Sequence, residues 1–281
     1  MRILVTNDDG IDATGLQVLA RRLVGLGDVV VAAPDREYSG ASAAVGTLHL
    51  IHPEVRQVEL DGVAEAWSVT GPPALCVMFA RLGVFGEPFD LVVSGINPGA
   101  NAGRAIYHSG TVGAALTARN GGVSGLAVSQ AVAGFGVEGQ GWDEMLVDQQ
   151  WDSAAEVGAR VAQAMLADLP QDPIVLNVNV PNLPLDGMAG WRRTEVALLP
   201  PRTLASAELT PKAGHDGAFH VQMHWGDPIE LPEDTDSGGV EAGFVTVTAL
   251  CRITDDTSVD LTRVGAALDG GVIGSGVRSP G

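Results

Sequence analysis

The sequence predicts an α/β protein built on a mostly parallel sheet with helices on both faces. Two observations carry that expectation. Short runs of branched apolar residues alternate with amphipathic segments at helical spacing. The strand-like runs are apolar along their whole length, as strands covered on both sides are. With 281 residues and 46% hydrophobic composition, the chain is long and apolar enough to bury a sizeable core.

Each element has its own local reason. "RILVT" at the N-terminus is a buried strand. "GLQVLARRLVGLG" follows as a helix, with Leu16, Leu19, Leu23 and Leu26 on one side and glycines at its end. "DVVVAAP" is a second strand. "TGPPALCVMFARLG" is a helix with Thr70 as its cap and Pro72-Pro73 in its first turn; Leu75, Met78, Phe79 and Leu82 form a core-packing stripe. "FDLVVSG" is a strand, and "SGTVGAALTARNGG" a helix entered through Ser109 and Thr111. "SGLAVSQ", "WDSAAEVGARVAQAMLADL" and "PIVLNVNVP" complete a strand-helix-strand series.

The pattern changes near residue 190, so residues 1–190 are expected to form the core and 191–281 an extension. In "AFHVQMHW", Phe219, Val221, Met223 and Trp225 alternate with His220, Gln222 and His224, the period of a strand with one polar face. Paired with "WRRTEVALLPPR", it reads as a hairpin over 191–225 that projects from the body. A solvated face accounts for the histidines without zinc. "GFVTVTALCRIT" is a further strand, "SVDLTRVGAALDG" a short last helix, and "GVIGSGVRSPG" a loose end.

Charge and targeting signals exclude several classes. The formal net charge of -18 leaves no excess of Lys and Arg to displace counterions, which argues against a nucleic-acid polymer as partner. Cys76 and Cys251, the only two cysteines, lie in apolar segments and read as reduced thiols. Neither a membrane span nor a basic, then apolar, leader is evident, so a cytoplasmic protein is expected. No G-x-G-x-x-G follows the first strand, no P-loop is present, and "GASAAVG" fails as a nucleophile elbow.

The chemistry collects in three loops. Asn7-Asp8-Asp9-Gly10 follows the first strand, "DREYSGAS" the second, and "INPGANAG" the strand "FDLVVSG". In a parallel sheet these loops leave the same edge, where ligands bind. Two unit charges about 5 Å apart repel by roughly 3 kcal/mol at an effective dielectric of about 20. A divalent cation turns that repulsion into attraction. The oxygen donors of Asp8, Asp9, Ser39 and Asn97 suit a hard ion such as Mg²⁺ or Mn²⁺ better than zinc. Without a cation, Asp9 would simply cap the next helix and Asp8 would be solvated. Ser109, Gly110 and Thr111 stand at a helix entrance, where free N–H groups and the helix dipole favour a phosphate, unless Ser109 or Thr111 serves as an ordinary N-cap.

Together "ILVTNDDG", "APDREYSGAS", "VSGINPGANAG" and "SGTVGAA" resemble the SurE (survival protein E) family, and "LNVNVP" and "GFVTVTAL" extend the resemblance over most of the chain. The resemblance implies a Rossmann-like core and a 5'-nucleotidase. This is a divalent-metal-dependent phosphatase that hydrolyses nucleoside 5'-monophosphates, with one metal per subunit held by Asp8, Asp9, Ser39 and Asn97. It also implies a homodimer or homotetramer, with the hairpin and last helix as assembly elements. Two departures stand out: Glu37 and Tyr38 precede Ser39, and "DTDSGGVEAGF" is glycine-rich where the family tends to have an aromatic.

Hydrolysis of a phosphate monoester is slow enough to need a metal, since helix-end dipoles contribute only about 0.3–1 kcal/mol each. The expected arrangement has Ser109–Thr111, with Asn101, holding phosphate oxygens, and water attacking in line with Asp8 or Asp9 as base. A covalent aspartyl-phosphate on Asp8 is the rival route. His108 reads either as the acid that protonates the leaving group or as a solvent-facing side chain. Two other functions fit the same residues: a phosphatase for other small monoesters or polyphosphate, and a non-catalytic metal- or nucleotide-binding assembly protein.

Overall fold

The computed structural model describes residues 1–46, 52–133, 142–199 and 203–269. Met1–Leu250 forms one compact unit and Cys251–Gly281 a second. In the first unit, β1 (Arg2–Thr6), α1 (Thr14–Leu23), β2 (Asp28–Pro34), β3 (Val55–Leu60), β4 (Val63–Val69), α2 (Pro73–Arg81) and β5 (Leu91–Pro98) follow in order. A 3-10 turn (Gly103–His108) leads into α3 (Gly110–Asn120) and β6 (Ser124–Gln130). Then come α4 (Trp142–Met145), α5 (Trp151–Ala167), β7 (Val175–Val180), β8 (Trp191–Arg193), β9 (Leu204–Pro211), β10 (Phe219–Trp225), α6 (Asp236–Glu241) and β11 (Val245–Leu250). The described part of the second unit holds α7 (Thr262–Asp269), as the sequence predicts; the glycine-rich end at 271–281 lies outside the described residues.

The main sheet runs β3-β4-β2-β1-β5-β6-β7-β11-β8. The central six strands, β4 to β7, are mutually parallel, while β3 and β11 each pair antiparallel with a neighbour. The fold is therefore α/β with a mostly parallel sheet, as expected. From β1 the chain moves out to β2, and it later returns to place β5 on the other side of β1. That reversal is a switch point, and the two loops leaving it diverge.

The apolar periodicity accounts for both covering layers. On α1, Leu16, Leu19 and Leu23 are fully buried against Ile3 and Val5 of β1 and the alanines of α5. Burial stabilises by about 1.5–3 kcal/mol per leucine side chain. Leu4, Val30 and Val92 point to the opposite face, where Cys76, Val77 and Ala80 of α2 and Ala114 and Ala118 of α3 cover them. Helix α2 starts at Pro73 with Pro72 at its N-cap and no side-chain cap, so Thr70 does not cap it. The Thr70 amide instead donates to the carbonyl of Glu54.

Two parts of the expected layout change. The first is the hairpin over 191–225. Trp191–Arg193 does not pair with β10; it joins the main sheet beside β11, in the register Val245↔Trp191. The partner of β10 is β9, in the register Phe219↔Pro211 to Trp225↔Leu204, closed by a turn in which the Lys212 amide donates to the Ala218 carbonyl. "LASAELTP" carries alanine and serine where a strand usually shows Val or Ile, which hides it, while in β8 Arg192 lies over the Phe244 ring beside β11. The second change is an addition. Strands β3 and β4 form an antiparallel hairpin at one end of the sheet, joined by Asp61-Gly62. Asp-Gly between two alternating runs is a strong hairpin signal, and it stood in the sequence.

Candidate active site at the carboxyl edge of the sheet

Strand β1 ends in a tight turn built by its own residues. The Asn7 side chain accepts from the Gly10 amide at 3.3 Å and donates to the Gly10 carbonyl at 3.0 Å. Gly10 takes φ of +104° and lies against the Arg36 backbone, a conformation and a closeness that favour glycine. The turn aims the two acids differently. Asp8 points inward to the start of α3, where its Oδ1 accepts from the Thr111 hydroxyl at 2.5 Å and its Oδ2 from the Gly110 amide at 3.1 Å. A Cβ on Gly110 would sit 2.7 Å from Asp8 Oδ2, so the close seat requires glycine.

The N-terminus of α3 thus receives the Asp8 carboxylate. Ser109 is its N-cap, accepting from the Val112 amide at 3.0 Å. Of the residues read as phosphate donors, Ser109 caps the helix, while Gly110 and Thr111 anchor Asp8. Burial raises the pKa of Asp8, and the hydrogen bonds from Thr111 and Gly110 work against that rise.

Asp9 has no such anchor. Its Oδ2 is buried and has no hydrogen-bond partner in the protein. Burial first, then the negative charges of Asp8 and Glu37, push its pKa up to about 8. A buried acceptor without a donor is costly, and it marks a place where a cation or a proton belongs.

The other two loops reach the same edge. The Tyr38 amide donates to the Asp8 carbonyl at 2.7 Å, which brings the segment before Ser39 against β1; Ser39 itself is exposed. The Asn97 Nδ2 donates to the carbonyls of Gly99 (2.7 Å) and Pro98 (3.2 Å), leaving Oδ1 as the end of the amide not spent on the backbone. His108 is exposed at the end of the 3-10 turn, and its carbonyl accepts from the Ser42 amide at 3.2 Å. Asn101 is buried, and its Nδ2 donates to Ser129 Oγ at 2.8 Å.

Those donors fit a hard divalent cation by type: two carboxylates, an amide oxygen and a hydroxyl. Among the described residues no group of three or more His, Cys, Asp and Glu side chains forms a metal cluster, so any site here relies on neutral oxygens beside the acidic pair. The unsatisfied Asp9 Oδ2 supports that use. Sequence reasoning missed the residues that hold the third loop, namely Asn177, Asn179, Gln130 and Asp236. "LNVNVP" carried a signal, since two amides at alternate positions on an otherwise apolar strand face one buried side.

Fold and site together define a Rossmann-like α/β protein with an acidic, oxygen-lined site at the switch point of a parallel sheet. The family model described as "Survival protein SurE" matches residues 3–199. The chain belongs to the SurE family. It is 35% identical over 254 residues to the 5'/3'-nucleotidase SurE of Erwinia tasmaniensis, covering 89% of this chain and 90% of that protein. The 5'-nucleotidase SurE of Haemophilus influenzae is 36% identical over 254 residues, covering 89% and 91%. Among solved structures, the SurE protein from Aquifex aeolicus superposes with a TM-score of 0.73 at 28% identity, covering 96% of this chain and all of that one.

Proposed function

We propose that this chain is a divalent-metal-dependent phosphomonoesterase that hydrolyses nucleoside 5'-monophosphates to nucleoside and phosphate. The observation that carries the reading is the buried, unpartnered Asp9 Oδ2 beside an Asp8 already locked to the start of α3. The nucleotidase names of the relatives supply the substrate class.

In this reading Asp8, Asp9, Ser39 and Asn97 would hold one Mg²⁺ or Mn²⁺ per subunit, which would supply charge neutralisation at the phosphate and a lowered pKa for a bound water. The chain's residues do the rest. Thr111 and Gly110 fix Asp8 and hold its orientation. Ser109 caps α3 and the Gly110 amide and Thr111 hydroxyl are given to Asp8, so the start of α3 serves the site by holding Asp8 rather than by gripping the phosphate. Water attacks phosphorus opposite the ester oxygen, so a new P–O bond forms as the bond to the nucleoside oxygen breaks. Asp9 Oδ2, the buried acceptor with no partner in the protein, is the atom that would take the cation, and the Asp9 carboxylate's other oxygen is the one left to accept the water's proton. His108, exposed at the end of the 3-10 turn that leads into α3, is the candidate to donate a proton to the leaving oxygen. Direct attack by Asp8 is disfavoured because both of its oxygens are held. The protein is expected to be cytoplasmic and to work as a homodimer or homotetramer. No helix among the described residues is long and apolar enough to cross a membrane.

Phosphate release from 5'-AMP tests this reading. The wild type with Mn²⁺ or Mg²⁺ is expected to turn over, and EDTA or Asp9→Asn to lower kcat/KM at least 100-fold. Including 3'-AMP and a short polyphosphate identifies the preferred monoester. Release that is insensitive to EDTA would contradict metal dependence.

A further inference from the structure

Asn97 stands at the end of β5 and Asn101 in the loop that follows, which is not regular structure. It is pinned at every second residue. The Gly99 amide donates to the Gln130 carbonyl at 2.7 Å. The Asn101 amide donates to Asn179 Oδ1 at 2.8 Å, and the Asn101 carbonyl accepts from Asn177 at 2.8 Å and from Asn179 at 3.2 Å. These pins come from β6 and β7, directly beneath the loop. The third comes from far along the chain: the Gly103 amide donates to both carboxylate oxygens of Asp236, at 3.1 and 3.0 Å.

Asp236 is fully buried. Burying a carboxylate is expensive unless donors meet it. Here three backbone amides do: Gly103, Ala197 at 2.8 Å and Ser237 at 2.8 Å. The two oxygens divide the work. Ala197 and Ser237 bond Oδ1, which Gly103 shares at 3.1 Å, while Oδ2 is bonded by Gly103 alone at 3.0 Å. A local structural role for α6 explains the first oxygen and leaves the second unaccounted for. Gly103 is the first residue of the 3-10 turn that joins the loop carrying Asn101 to Ser109, the cap of the helix holding Asp8.

We propose that Asp236 is a positioning residue of the active site: its carboxylate fixes Gly103 and, through it, the placement of Asn97 and the start of α3. The inference rests on the metal-site reading above. It assigns a role to a residue in the 226–244 segment, outside the three loops that carry the chemistry.

Asp236→Asn is the selective test. The amide keeps an Oδ1 acceptor for Ala197 and Ser237 and sets an N–H₂ against the Gly103 N–H. Thr235→Ala is the control, because Thr235 caps α6 through the Gly238 amide (3.1 Å) and does not touch Gly103. Both are prepared as full-length chains and compared with the wild type in three measurements: Mn²⁺ binding followed by the EPR signal of the free ion, amide hydrogen exchange over 97–108, and Tm. Asp236→Asn is expected to weaken Mn²⁺ binding about 10–100-fold and to speed exchange over 97–108. Thr235→Ala is expected to lower Tm and change neither. Asp236→Ser, which removes the charge and shortens the side chain, is measured alongside and is expected to behave as Asp236→Asn does. Wild-type Mn²⁺ affinity together with wild-type exchange in Asp236→Asn would overturn the proposal, whatever happened to Tm. If the wild type itself bound no Mn²⁺, the metal reading would fail, and the exchange rates alone would decide the role of Asp236.

Discussion

Two adjacent acids at the end of β1 meet different surroundings one residue apart, and that difference drives the site. Asp8 faces the positive end of α3, with a hydroxyl and an amide as donors. Asp9 faces no donor at Oδ2 and has Asp8 and Glu37 for neighbours. The consequence for stability has a definite sign. With Asp9 raised to about 8 from an ordinary 3.8, the metal-free folded protein holds a proton that the unfolded chain has released. Its contribution to stability is greatest below the ordinary carboxylate pKa and is lost as pH rises through about 8. In EDTA, the Tm of the wild type is therefore expected to fall with pH relative to Asp9→Asn, with the gap opening up to about pH 8. Mn²⁺ is expected to restore more Tm at the alkaline end, because binding displaces that proton. Thermal scans at several pH values check this; parallel profiles for the two proteins would show that Asp9 carries no raised pKa.

At the scale of elements, the sequence was most legible where apolar pattern and core coincide. The strands β1, β2, β5, β6 and β7 and the helices α1, α3 and α5 follow from branched runs and leucine or alanine stripes, since those faces are the ones buried. The three loops of the site were legible for the same reason, because parallel strands leave one edge. Less legible were elements held by something other than apolar burial. Strand β9 lies exposed along almost its whole length, and its alternation of Ala205, Ala207 and Leu209 with Ser206, Glu208 and Thr210 is faint because two of the three apolar residues are alanines. The Asn177, Asn179 and Asp236 pins act through hydrogen bonds across tens of residues, which local pattern does not encode. The β9–β10 arm carries its own prediction. Leu209, Phe219, Val221 and Met223 are 64%, 53%, 61% and 59% exposed, and a lone two-stranded hairpin is marginal in water. An assembly that covers the arm removes both problems. Replacing 204–225 by a short Gly-Ser turn is expected to reduce the solution mass toward that of a 28.9 kDa monomer. Light scattering on the eluting peak checks it, and an unchanged mass would place assembly elsewhere.

For the whole molecule, the sheet order and the charge set a common problem. The switch point lies between β1 and β5, and the chain sets Asp8 and Asp9 at its carboxyl edge inside a protein of net charge -18. A phosphate monoester approaching that surface meets net repulsion that a bound cation would reverse, because the start of α3 is already given to Asp8. The nine-stranded frame is what keeps the acids together against their own repulsion: β1 lies in register with β2 and β5, and α3 bears on its end. The central claim is that this frame holds a dication at Asp9. An anomalous difference map from a crystal soaked in Mn²⁺ tests it most directly. A peak is expected about 2.0–2.6 Å from Asp9 Oδ2, with Asp8, Asn97 and Ser39 oxygens around it. A map with no peak there, and Asp9 hydrogen-bonded to another protein group, would contradict it.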